Sequence, residues 1–201
     1  MYKKQMRVQK TVCLLAIIAA AVLFVYALGI ITDIYDGLYF TMASVKDPMK
    51  DPSKLKIPGA IIYFEMQEFN SQFVNRSIVL ILLACLLFIT NTQVRRKYYI
   101  GNFVAIGAYS ATAIAVSIWS HQQIEAFKHQ YLTTIDFEKL KEFCDLLGKE
   151  YIDSTLWFDL HYVALGLLLL SVAALLGNMI WKICLMRAES KLLAAGKETA
   201  V

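Results

Sequence analysis

His121, Glu125 and His129 recur at every fourth residue, so on an α-helix consecutive members lie about one turn apart and share a face. Two imidazoles and a carboxylate are ligands for zinc or a similar divalent ion. Asp159 and His161, at the start of a later apolar segment, are the candidates to complete such a set. The same spacing also describes a solvated polar face in which Glu125 pairs with Lys128 or His129. No fixed metal motif, glycine-rich phosphate loop or nucleophile elbow accompanies these residues. The sequence therefore offers one candidate metal centre, no catalytic residue and no organic cofactor.

The elements that must position these residues are apolar helices. Hydrophobic residues make up 58% of the chain and its mean hydropathy is +0.53, outside the usual range of water-soluble domains. Four segments, residues 12–31, 74–92, 100–119 and 160–181, are long and uncharged enough to cross a hydrocarbon core about 30 Å thick at about 1.5 Å per residue. The basic start Lys3, Lys4, Arg7 and Lys10 would suit a secretory signal. The apolar run behind it, however, is longer than a cleavable one, so the segment reads as an uncleaved span. Apart from Arg76 and His161 in outermost turns, no ionisable residue lies within the spans, which argues against a pump or a proton-coupled carrier.

Between the spans, helical character continues. Ile62, Met66, Phe69 and Phe73 form one apolar stripe, and Ile124, Phe127 and Tyr131 form another for it to dock against. Asp136 is placed to cap a short amphipathic helix that carries Phe137, Leu140, Cys144 and Leu147 and stops at Gly148. The last helix starts near Asp153 or Ser154 and continues into a tail for which Gly196 is the expected end. All three prolines of the chain fall within KDPMKDPSKLKIP, which reads as a loop. Arg76, with Asp33 and Asp159 at comparable depth, reads as a boundary ion pair or a headgroup contact.

Within the third span Gly107, Ala111 and Ala115 lie four residues apart, and Ala173 and Gly177 give the fourth a similar face. Both patterns predict close helix packing. Tyr109, Ser110, Thr112 and Ser171 fall near mid-depth, where a hydroxyl needs a protein partner. The expected fold is all-α: a polytopic membrane four-helix bundle forming a single domain over residues 1–201. Its long helices protrude outside and a short amphipathic helix accompanies them there.

Charge orients this arrangement. Eleven of the twenty Lys and Arg residues lie before the first span, between the second and third, and after the fourth, whereas the two long loops hold fourteen of the sixteen acids. By the positive-inside rule the inner loop 93–99, the tail 182–201 and both termini face the cytoplasm, and loops 32–73 and 120–159 face outward. The net charge of +4 is then a transmembrane asymmetry that suits anionic lipid and carries no sign of nucleic-acid binding. Only Cys144 of the four cysteines falls in an outer loop, so the outer region must be held by packing, as is ordinary in a bacterial plasma membrane.

The leading functional expectation is a non-catalytic membrane protein, an accessory subunit whose outer helical region binds another membrane protein or a copy of itself. An oligomeric channel or transporter component, its pore lined by hydroxyls or backbone, is the alternative, and a metal-dependent membrane enzyme using the histidine face is the third. The topology is testable by cysteine labelling in intact cells after removal of the native thiols. Cysteines at Ser53 and Lys149 should react with an impermeant reagent and one at Gln93 should not; the opposite pattern would overturn the orientation.

Overall fold

The computed structural model describes residues 2–32, 34, 38, 57–93, 100–149, 151 and 153–198. The YDGLYF segment apart from Leu38, the proline-containing loop up to Lys56, Asp33 and most of the inner loop lie outside them. The described residues form no strand but five helices: α1 (Tyr2–Gly29), α2 (Ile62–Asn91), α3 (Ile100–Thr134), α4 (Phe137–Leu147) and α5 (Leu156–Glu198). Helices α1, α2, α3 and α5 are long and apolar enough to cross a membrane. At 35 and 43 residues, α3 and α5 are about 52 and 65 Å long and exceed any hydrocarbon core. Gly196 does not end α5, which runs on to Glu198; a single glycine inside a helix is tolerated at about 1 kcal/mol.

Surface composition changes along individual helices. On α2 the exposed large residues from Ile78 to Ile89 are aliphatic, with Leu82 63% exposed, while Glu65, Gln67, Glu68, Ser71, Gln72 and Asn75 are the exposed residues of the preceding turns. On α3, Val104, Ile114 and Ile118 give way at His121, Gln122 and Gln123. Aliphatic surface of this extent suits lipid and would be an aggregation liability in water.

The chain divides into two compact units. Met1–Ala21, Val79–Ala115 and Gly166–Val201 form the first, Val22–Ile78 and Val116–Leu165 the second. In the first unit the Tyr109 hydroxyl donates to the Ala16 carbonyl at 3.2 Å and lies 3.1 Å from Ser171 Oγ, which itself donates to the Leu168 carbonyl at 2.7 Å. Three helices thus share one buried hydroxyl pair. Ser110 is buried on the same side, although its hydroxyl has no hydrogen-bond partner.

Within the chain the small residues make no close helix contact. Gly107, Ala111, Ala115, Ala173 and Gly177 all lie on exposed faces, and nothing comes within 4 Å of where a Cβ on Gly107 or Gly177 would stand. The side of α3 that carries Tyr109, Ala113 and Val116 is the one that turns inward. That side bears the Tyr109 hydroxyl, and an unpaired tyrosine hydroxyl in hydrocarbon costs more than the close packing a glycine permits would gain.

The second unit is built on aromatic rings. Phe69 stacks on Phe73 with centroids 5.5 Å apart and meets Trp119 at 5.1 Å and Phe127 at 5.5 Å, so the α2 and α3 stripes dock as their spacing indicates. The Tyr26 hydroxyl donates to the Trp157 carbonyl at 2.9 Å, and the Trp157 ring comes so near Gly29 that an added Cβ would stand 2.7 Å from it. Gly59, at φ 81°, passes against the Thr134 carbonyl, where a side chain has neither the conformation nor the room.

Helix α4 starts and stops where its sequence indicates. The Asp136 side chain accepts from the Lys139 amide at 3.1 Å, and Gly148 closes the helix in the left-handed region. Leu140 and Cys144 are buried, and Phe137 meets Tyr131 of α3 edge-on at 5.2 Å, so α4 packs on protein. The Lys139 ammonium beside Asp136 holds its carboxyl below the usual carboxylate range, aided by the backbone N–H of Lys139. The cap is therefore fully formed at neutral pH and is lost only as pH falls through that lowered value.

Tyr109→Phe should destabilise the protein by about 1 kcal/mol through loss of the shared hydroxyl. Gly107→Leu, on an open face, should stay within about 0.5 kcal/mol of wild type. Denaturation of both variants in detergent checks the order; a stable Tyr109→Phe beside a destabilised Gly107→Leu would show that the small-residue face is the packed one.

Candidate functional site

The second unit brings together three of the five candidate metal ligands. His121 and Glu125 stand one turn apart on α3, and His161 enters from the second turn of α5. Their ligand atoms all lie within 4.8 Å of one another. His121 Nδ1 is 2.9 Å from His161 Nε2, and Glu125 Oε1 is 3.6 Å from the same nitrogen. Burial grades across the group: His161 is fully buried, Glu125 half-buried and His121 exposed.

Hydrogen bonds fix the orientation of these groups. His161 Nδ1 lies 2.5 Å from the Phe158 carbonyl, which can only accept, so that nitrogen carries a proton. The neutral ring then presents a lone pair on Nε2, and His121 Nδ1–H donates to it. The Tyr162 hydroxyl donates to Glu125 Oε1 at 2.7 Å, and its ring lies 3.9 Å from that of His161, centroid to centroid. Tyr162 and the Phe158 carbonyl are members of the site that residue type and spacing did not single out; the i, i+3 and i, i+1 relations to His161 were their only signal.

His129 and Asp159 stay outside. Eight residues on from His121, His129 is rotated by about 80° and lies about 12 Å further along the axis, where it is exposed. Two residues before His161, Asp159 projects from a different face of α5. There it accepts from Lys128 Nζ at 2.5 Å and Thr155 Oγ1 at 2.9 Å. The expected boundary pair of Arg76 with Asp159 is replaced in the same way, and the Arg76 guanidinium lies over the Trp119 ring, 3.6 Å from its centroid. Cys144 is buried, and burial pushes its thiol above the ordinary value, which leaves it an unreactive core residue.

A second feature of this unit is a groove of about 270 Å³ between α2 and α3, lined by Glu65, Glu68, Gln72 and Gln123 above Phe69, Trp119 and Phe127. Gln130 donates to Glu65 at 2.6 Å and Gln72 to Glu68 at 3.4 Å. Both donors are neutral amides, so neither hydrogen bond pairs a carboxylate with a cation.

The first unit holds a buried amide cluster. Gln5 donates to Gln9 and to Asn178, Asn178 donates to Gln9, and Gln9 donates to the Cys13 sulfur. Lys182, one turn beyond Asn178, is only 2% exposed and lies 5.3 Å from the Phe103 ring centroid. The i, i+4 spacing of Gln5 with Gln9 and of Asn178 with Lys182 was its signal in the sequence.

Searches against protein-family models, curated proteins and solved structures returned no match.

Proposed function

We propose that the protein is a non-catalytic, multi-pass plasma-membrane protein, an accessory subunit whose outward-facing helical region binds a basic segment of another membrane protein. The acidic groove between α2 and α3 carries this reading. Glu65 and Glu68 stand beside an aromatic floor, and the chain itself sets a guanidinium on one of those rings, Trp119. Carboxylates at the rim and ring faces below attract a lysine or arginine side chain by Coulomb and cation–π terms, the latter about 0.5–2 kcal/mol each. The volume suits one or two side chains and is near the lower limit for a small-molecule pocket of about 300 Å³. The membrane placement rests on the four apolar helices, and the orientation, with both termini cytoplasmic, rests on the distribution of Lys and Arg. A channel has less support, because the Tyr109 and Ser171 hydroxyls engage each other and backbone carbonyls.

A photo-crosslinking residue at Gln123, compared in cells with one at exposed Leu146 on α4, tests the groove. An adduct is expected at position 123 only, mapping to a Lys- or Arg-containing segment and lost in the Glu65→Gln/Glu68→Gln variant. An adduct equally strong at 146, one indifferent to the double substitution, or none at 123 would overturn the proposal.

A further inference from the structure

We infer that His121, Glu125 and His161 form a binding site for a first-row divalent metal ion of the Zn²⁺ type, which ties α3 to α5. The groove between α2 and α3 plays no part in the inference, which stands or falls separately.

Three features carry it. First, the donor atoms converge. An ion with M–N and M–O bonds of about 2.0–2.2 Å and tetrahedral angles holds its donors about 3.3 Å apart. The His161–Glu125 separation of 3.6 Å already fits, and the His121–His161 separation of 2.9 Å needs to open by only a few tenths of an ångström. Second, the outer contacts are those that metal ligands need. The Phe158 carbonyl holds the proton of His161 on Nδ1 and turns the Nε2 lone pair toward the other two ligands, while Tyr162 orients the Glu125 carboxylate. Third, the graded burial gives the ion an anchor and a way in. His161 fixes the inner end, and His121 and Glu125 stand toward solvent at the rim.

The exchange on binding balances. With the proton of His161 on Nδ1, the hydrogen between the rings belongs to His121 Nδ1. The ion takes that position, and His121 carries its proton on the exposed Nε2 instead, so both imidazoles remain neutral and Glu125 supplies the one negative charge. Two nitrogens and one carboxylate form a borderline donor set. It selects zinc or its first-row neighbours over Mg²⁺ and Ca²⁺, which favour all-oxygen sites, and over Cu⁺, which favours sulfur.

The test uses the full chain purified in detergent with a tag that contains no histidine, stripped with chelator and titrated with ZnCl₂ or, separately, MgCl₂. Wild type is expected to bind one zinc per chain, with a rise in Tm that Mg²⁺ does not reproduce. Binding should weaken at least tenfold in both His121→Gln and Glu125→Gln, and His129→Gln should leave it unchanged. Both positions 121 and 125 are accessible enough for substitution without unfolding, and gel filtration with far-UV circular dichroism verifies this. A Co²⁺-loaded sample should show visible absorption of a low-coordinate N/O site in wild type and not in His121→Gln. No zinc above background, an equal response to Mg²⁺, or a loss in His129→Gln as large as in His121→Gln would overturn the site.

Discussion

A hydroxyl in hydrocarbon has no water to bond, and much of this fold follows from that constraint. Tyr109 lies in the middle of the most apolar part of α3, and its hydroxyl reaches a carbonyl of α1 and a serine of α5. Satisfying that one group fixes which side of α3 turns inward, and through Ser171 it fixes the rotation of α5 as well. The same argument extends to the amide cluster. Gln5 and Gln9 of α1 bond one another and Asn178 of α5, so the three amides pair within the protein.

The two units differ in their means of cohesion. The second unit relies on ring against ring, from Phe69, Phe73 and Trp119 to Tyr131, Phe137 and Phe158, and it needs no disulfide. Aromatic residues combine large buried area with few rotatable bonds, an economical way to fix helices against one another. On that framework His121 and Glu125 are set by a single helical turn, while His161 depends on the packing of α5 against α3. The pairing of Lys128 with Asp159 bridges the same two helices one to two turns further along α3.

Several features were legible in the sequence because their signals are local. The caps of α4, the two apolar stripes and the four apolar segments each depend on residue types within a few turns. What remained hidden depended on which side of a helix meets protein. Gly107, Ala111 and Ala115 and the Tyr109 face offer two rival inward sides of one helix, and only the partner hydroxyl on α5 decides between them. Regular spacing likewise suggested His129 as a ligand, although two helical turns carry it away from His121. Lys182, counted in the sequence among the basic residues of the tail, is buried because Asn178, one turn before it, is drawn inward by the α1 amides. The groove needed α2 and α3 side by side before its acids and rings could be seen as one surface.

The inward orientation of α3 is the claim on which the rest depends, and a spin-label scan of residues 104–116 in lipid vesicles tests it directly. Labels at Val104, Gly107, Ala111 and Ala115 should show high accessibility to dissolved oxygen, and labels at Ile106, Tyr109, Ala113 and Val116 should show low accessibility. A pattern in phase with Gly107, Ala111 and Ala115 as the protected positions would contradict it.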